Sequence, residues 1–197
     1  MIFAAGTRAA KQAIVEHVTV GRVEHPGNVK VKREYVDVVS AFDIETSRIP
    51  DTEESIMYVW QWCLEGDVIV GRTWDEFKDC LAIAKAAMPE KTWLVVFVHN
   101  LSYEFQFLSG VFDFGPDDVF ALQPRKVAKA DMLGFVEFRC SYIHSNLSLD
   151  AFLKEMRVEH EKLHDFDYSA FRLPDTDLTE SEIAYAVHDV LGLVEAI

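Results

Sequence analysis

The chain has 197 residues, the size of one domain, and half of them are hydrophobic, enough for a sizeable core and too many for wholesale disorder. Nineteen Lys and Arg against 33 Asp and Glu give a formal charge of −14, which excludes nonspecific duplex binding through bulk charge. Any nucleic-acid role must then come from a local site, with metal ions or a basic strip offsetting the repulsion.

Cys63, Cys80 and Cys140 form no CxxC pair and are odd in number, which argues against a disulfide framework and for a reducing compartment. With no 18-residue apolar run and no signal-peptide pattern, the expectation is a soluble, cytoplasmic protein without a membrane partner. Charge is uneven along the chain. Residues 1–40 hold six basic and four acidic residues, whereas 41–197 hold 13 and 29. Residues 1–34 are therefore expected as a leader or arm, and 35–197 as the domain proper. A turn signal at His25-Pro26-Gly27-Asn28 between β-branched runs fits a small hairpin or a mobile arm equally well.

From Tyr35 the pattern sharpens. Val36 to Ile44 reads as a buried strand, and Ile56 to Leu64, rich in Tyr and Trp, as a second. Glu65-Gly66-Asp67 turns the chain into a third strand, Val68 to Val70. Thr73 can cap a helix running to about Met88, stopped by Pro89. Thr92 to Val98 is another apolar strand, followed by a helix from Ser102 to about Phe112 and a late strand from Met132 to Cys140. Two helices close the chain, near Leu149–Arg157 and Ser181–Ile197, with a capping box at Thr179 and Glu182 for the last. A hairpin of strands followed by alternating helices and strands predicts an α/β domain, a mixed β-sheet flanked by helices.

Three features place carboxylates beside apolar elements. Asp43-Ile44-Glu45 ends the first expected strand, and alternate residues put both acids on one side. Adjacent anions are costly without a cation, and an all-oxygen set suits Mg²⁺ or Mn²⁺; the plain alternative is two solvated acids. In His99-Asn100-Leu101-Ser102-Tyr103-Glu104-Phe105, Asn100 can cap the helix and Glu104 sits in its first turn, where its charge also suits the helix dipole. In Tyr185-Ala186-Val187-His188-Asp189, Tyr185 and Asp189 share one face of the last helix, among apolar neighbours or on a solvated stripe.

The order D-I-E-T, H-N-L-S-Y-E-F, Y-A-V-H-D resembles the Exo I, Exo II and Exo III motifs of the DEDD exonucleases, in particular the proofreading domain of phage-type, protein-primed family-B DNA polymerases. The resemblance runs from about Tyr35 to Ile197. It implies a ribonuclease-H-like fold, a 3′→5′ exonuclease acting on single-stranded DNA ends, and two divalent metal ions. By this resemblance Asp43 would bridge the ions, Glu45 and Asp189 would complete one site, Glu104 would support the other, and Tyr185 would orient the attacking water. Asn100 and Tyr103 match positions that touch the single strand. Ser141-Tyr142 falls where the family has a Ser-Leu pair on the same strand, and Lys162 where it has a catalytic lysine. The chain departs from the pattern in carrying Glu104 for Asp and Tyr142 for Leu, and Lys162 aligns only with a one-residue offset relative to Asp165.

Two metals held by acids activate water and relieve charge on phosphate, so no Ser, Cys or His nucleophile is needed. Tyr103, Phe105 and Tyr142 are candidate base-stacking aromatics, while Phe107 reads as core. The run Arg125-Lys126-Val127-Ala128-Lys129 could steer a phosphate backbone or protect a strand edge. Cys140, His144, His160 and His164 mimic a zinc pattern, but Cys140 ends an apolar strand. Asp175-Thr176-Asp177 resembles a polymerase motif but follows Pro174 in what reads as a turn. The rival class is a non-catalytic domain of this fold that binds DNA, a terminal protein or the polymerase body; an exoribonuclease would differ in substrate only. If phage-encoded, the protein would work in the host cytosol.

Overall fold

The computed structural model describes residues 1–19, 33–52, 54–164 and 166–197. The turn expected at His25 to Asn28 lies outside these residues, as does Asp165. The chain forms a mixed sheet flanked by helices, compatible with the ribonuclease-H-like fold. Among the described residues the sheet has nine strands.

Three strands form an antiparallel meander: β3 (Ser40–Arg48), β4 (Ser55–Leu64) and β5 (Asp67–Gly71). Glu65 and Gly66 both take positive φ between β4 and β5, as a tight hairpin turn requires. Helix α2 (Trp74–Ala87) follows, with Thr73 and Glu76 forming a reciprocal capping box. The chain returns as β6 (Thr92–Val98), parallel to β3, and enters α3 (Leu101–Leu108). β7 (Val119–Gln123), β8 (Lys126–Met132) and β9 (Val136–Cys140) complete that half of the sheet, with β9 parallel to β6. Short α4 (Ser141–Ser145), α5 (Leu149–Met156) and α6 (Glu180–Ala196) end the chain, and Thr179 with Glu182 forms the expected capping box.

Of the stretch 1–34 expected as a leader, residues 2–18 are built into the sheet and the core. β1 (Ile2–Ala4) pairs in parallel with β5, and α1 (Arg8–Val18) buries Ala10, Ile14 and Val18 in the main core. β2 (Glu34–Tyr35) pairs with the start of β6. The single strand expected over Val36–Ile44 is therefore divided, with the chain changing course before Ser40. The strand expected over Met132–Cys140 is also two: Leu133 and Gly134 take positive φ and turn β8 back into β9.

Two apolar layers hold the sheet. On one face Phe42, Ile44, Trp60 and Trp62 pack against Phe77, Leu81, Ile14 and Leu101 from α2, α1 and α3. The indole N–H groups buried there are satisfied, Trp62 donating to Ser40 Oγ and Trp60 to the Thr73 carbonyl, each at 2.8 Å. On the other face Ala41, Cys63 and Val68 meet Val187, Val190 and Leu193 of α6. The three cysteines are buried and unpaired. No helix among the described residues is long and apolar enough to cross a membrane.

Candidate active site

The α6 face of β3 carries the site. Phe42 and Ile44 point into the main core, so alternation sends Asp43 and Glu45 towards α6. Neither sits at the end of its own strand, as the sequence pattern suggested, because β3 runs on to Arg48. Its parallel neighbour is shorter. Ala41 pairs with Phe97, and β6 ends one residue later at Val98. Asp43 and Glu45 thus project just beyond the carboxyl end of β6, where ligands bind in such sheets. Immediately after Glu45 the β3–β4 register slips, leaving Tyr58 as an extra residue on β4. The bulge's carbonyl is satisfied by Arg72 Nε at 2.7 Å.

From α6, Asp189 reaches the same point. Carboxylate oxygens of Asp43, Glu45 and Asp189 all lie within 4.8 Å of one another. Glu104, in the first turn of α3, is buried at 4% exposure and lies against Asp43. Gln61, opposite Asp43 on β4, donates to Asp43 Oδ2 at 2.8 Å. Lys162 donates to Asp189 Oδ2, and its ammonium lies 4.8 Å from the centre of the Tyr185 ring. The Tyr185 ring stacks on Phe166 with centroids 4.3 Å apart, and its hydroxyl bonds that of Tyr168.

Crowding these acids away from water makes each harder to ionise. Burial first, and then the charge of Asp189, push the Asp43 carboxyl up to about 7, against the pull of Lys162 and Gln61. Glu45 and Glu104 are held well above the usual carboxylate range, by burial and then by Asp43. Asp189 is also raised by burial, although Lys162 opposes the shift. Burial works against the Lys162 ammonium, but the charge and hydrogen bond of Asp189 outweigh it and hold its pKa above the ordinary value. Burial and the bond to Tyr168 raise the Tyr185 hydroxyl, which stays neutral.

Oδ1 of Asp189 and Oε2 of Glu104 are buried without a hydrogen-bond partner. Unpartnered anionic oxygens of this kind are what a bound cation satisfies, and an all-oxygen donor set fits Mg²⁺ or Mn²⁺. Among the described residues, Asp43, Glu45 and Asp189 are the one group of possible metal ligands close enough to share an ion. The zinc pattern does not assemble: His160 pairs with Glu195, and Cys140 is buried at the end of β9. Asp175 and Thr176 lie in a turn closed from Thr176 N to the Leu173 carbonyl, and Asp177 follows it.

A second region adjoins these acids. Asn100 holds the N-cap position of α3 but makes no side-chain capping bond, so it is not committed to the helix. It lines a groove of about 300 Å³ with Tyr142, Asn146, Leu122, Arg125 and Lys126. Tyr103 is 38% exposed, its hydroxyl 2.5 Å from Thr46 Oγ1. Tyr142 is 41% exposed, but its neighbour Ser141 is buried and faces inward onto His99 Nδ1 at 2.9 Å. The Leu147 carbonyl can only accept from His99 Nε2, so Nε2 carries the proton and Ser141 donates to Nδ1. Phe105 packs half-buried against Phe114 and the main core, with Phe107. The basic run is divided: Lys129 is engaged by Asp131 at 3.1 Å, leaving Arg125 and Lys126 to the groove.

Sequence reasoning missed Gln61, Phe166 and Tyr168. Gln61 had a signal, as a polar residue in an otherwise apolar strand. The other two lie in an irregular segment without periodicity.

No protein-family model matches this chain, and no curated protein matches it. Among solved structures it is similar to phi29 DNA polymerase complexed with primer-template DNA and incoming nucleotides. That match has a TM-score of 0.65 and 16% identity, over 81% of this chain and 30% of the polymerase. The same polymerase complexed with single-stranded DNA matches at 0.64 and 16%, over 80% and 30%. At this identity the likeness is one of fold, and this chain spans 30% of the length of those polymerase chains.

Proposed function

We propose that this chain is a divalent-metal-dependent 3′→5′ exonuclease that hydrolyses single-stranded DNA ends, acting as the proofreading domain of a phage-type, protein-primed family-B DNA polymerase. The observation that carries this reading is the convergence of Asp43, Glu45 and Asp189 within 4.8 Å, with Glu104 against Asp43. The phi29 structures agree with it through their shared fold and through the DNA named in those complexes.

Asp43, Glu45 and Asp189 would hold one Mg²⁺ or Mn²⁺, and Asp43 with Glu104 a second. The chemistry such ions supply when bound is activation of water and relief of negative charge on the phosphate. Asp43 lies close to both Glu104 and the Glu45–Asp189 pair, so it would serve both ions. Glu104, longer by one methylene than an Asp, reaches Asp43 from α3. The Tyr185 hydroxyl, kept neutral and oriented by Tyr168, is suited to orient the attacking water. Lys162 offers its ammonium to the scissile phosphate from the Asp189 side. Tyr103 and Tyr142 present faces on which unpaired bases stack, and Asn100, Arg125 and Lys126 meet the backbone beside them. A polymerase body and a terminal protein are the expected partners, and the cytosol of the host the expected compartment.

One observation favours the non-catalytic reading. The Lys162–Asp189 ion pair partly neutralises the acids without a metal, so the fold could persist as a DNA- or protein-binding domain. Hydrolysis of 3′- and 5′-labelled single-stranded oligonucleotides with Mn²⁺, Mg²⁺ or EDTA separates the two. A 3′→5′ ladder that needs metal and is abolished by Asp43→Ala supports the nuclease; a folded protein inert with either ion leaves the binding domain.

A further inference from the structure

We infer that Glu195 is a positioning residue for Lys162: together with Gly192 it clamps residues 159–161 onto α6, and the clamp sets the Lys162 ammonium on Asp189. The inference rests on the proposed role of Lys162 at the scissile phosphate.

The segment from Val158 to His164 has no helix or strand to hold it, so its course is set by the bonds it makes to its neighbours. His188, Gly192 and Glu195 recur at i, i+4 and i+7 and so form one stripe on α6, next to the face that carries Asp189. Each touches the segment. Glu195 Oε2 accepts from the backbone N–H of Glu159 at 2.8 Å and of His160 at 3.0 Å, while Oε1 meets His160 Nδ1 at 2.5 Å. One carboxylate thus gathers three donors from two consecutive residues. At Gly192 a Cβ would lie 2.3 Å from the His160 carbonyl oxygen and 2.6 Å from Leu153 Cδ1. Only a residue without a side chain lets the segment approach this closely. His188 Nδ1 donates to the Glu161 carbonyl at 3.0 Å, a carbonyl being able only to accept. Three successive residues, 159 to 161, are therefore pinned to α6, and the next is Lys162. A lysine has four rotatable carbons, and its ammonium finds one place reliably only if its backbone is held. The clamp and Asp189 lie on the same rigid helix, which fixes the distance between them.

Cleavage kinetics with Mn²⁺ on a single-stranded oligonucleotide test this, using Glu195→Ala, Glu195→Gln, Lys162→Ala and the Glu195→Ala/Lys162→Ala double variant. Glu195→Ala is expected to lower kcat about 10- to 100-fold, the usual loss when a supporting group is removed, with KM within about twofold. Glu195→Gln keeps a carbonyl oxygen for both backbone N–H groups and should stay within about threefold of wild type. In the Lys162→Ala background Glu195→Ala should cost nothing further. Wild-type kcat in Glu195→Ala, or an equal loss in both backgrounds, overturns the inference. Acetylation of lysines by an amine-reactive reagent, read by mass spectrometry, tests the clamp even if the wild-type protein cleaves nothing and the nuclease reading fails. Release from the clamp should speed labelling of Lys162 several-fold in Glu195→Ala while Lys154 is unchanged, with both proteins folded by circular dichroism. Equal Lys162 labelling in the two proteins overturns it.

Discussion

Replacing Asp43 by asparagine should stabilise the metal-free protein, and only above mildly acidic pH. The Asp43 carboxyl is pushed up to about 7 from an ordinary 3.8. The folded state then keeps a proton that the unfolded chain has lost, so stability falls as pH rises from about 4 to about 7 and is level above that. At about 1.4 kcal/mol per pH unit of displacement, the folded protein above pH 7 carries a penalty of roughly 4 kcal/mol at this one group. An asparagine amide at this position has no charge to bury, and its carbonyl oxygen still accepts from Gln61. None of this gain is returned, because Glu45 and Glu104 are held up in part by the Asp43 charge and lose that part of their own penalty once position 43 is neutral, so roughly 4 kcal/mol or more is expected. Urea unfolding in EDTA at pH 4.5, 6 and 8 measures it. Asp43→Asn should exceed wild type at pH 8, with the gap closing towards pH 4.5, and Mn²⁺ should stabilise wild type at pH 8 far more than the variant. A gap that is absent at pH 8, reversed, or the same at every pH would refute the reasoning.

Gly71→Ala should destabilise the fold, because the new Cβ would sit 2.1 Å from Cζ2 of the fully buried Trp60; about 3 kcal/mol is expected in urea unfolding. Tyr142→Ala should weaken single-strand binding by about 1–3 kcal/mol, the worth of one stacked base, in fluorescence titration with EDTA present, without changing the melting temperature. Tyr168→Phe removes the hydroxyl partner of Tyr185 but keeps the ring against Phe166; kcat should fall about tenfold in the oligonucleotide assay with KM unchanged.

Much of the architecture was legible because its signals are local. β4, broken only by Gln61 between Ile56 and Leu64, and β6 are apolar runs between turn residues, and α2 and α6 open with capping boxes at Thr73 and Thr179. The turn at Glu65-Gly66 carries the glycine that positive φ favours. Its counterpart at Leu133-Gly134 starts on a leucine, a residue that rarely enters that region, and the break between β8 and β9 was invisible for that reason. β1 could not be read from Ile2-Phe3-Ala4, since three residues carry no periodicity and their pairing partner, β5, lies more than 60 residues away. At the site, the carboxylates of Asp43, Glu45, Glu104 and Asp189 were conspicuous against their apolar surroundings. The inward turn of Ser141 was not. It depends on His99, some 40 residues earlier, and on the Leu147 carbonyl that sets the histidine's tautomer.

The proposed nuclease requires the oxygens around Asp43 to hold two divalent cations, and anomalous scattering from a Mn²⁺-soaked crystal near pH 7.5 tests it most directly. Two peaks are expected, both within bonding distance of Asp43, one shared with Glu45 and Asp189 and the other lying towards Glu104. Absence of any peak at the acids, with Lys162 still on Asp189, would contradict the account and leave the domain as a binder.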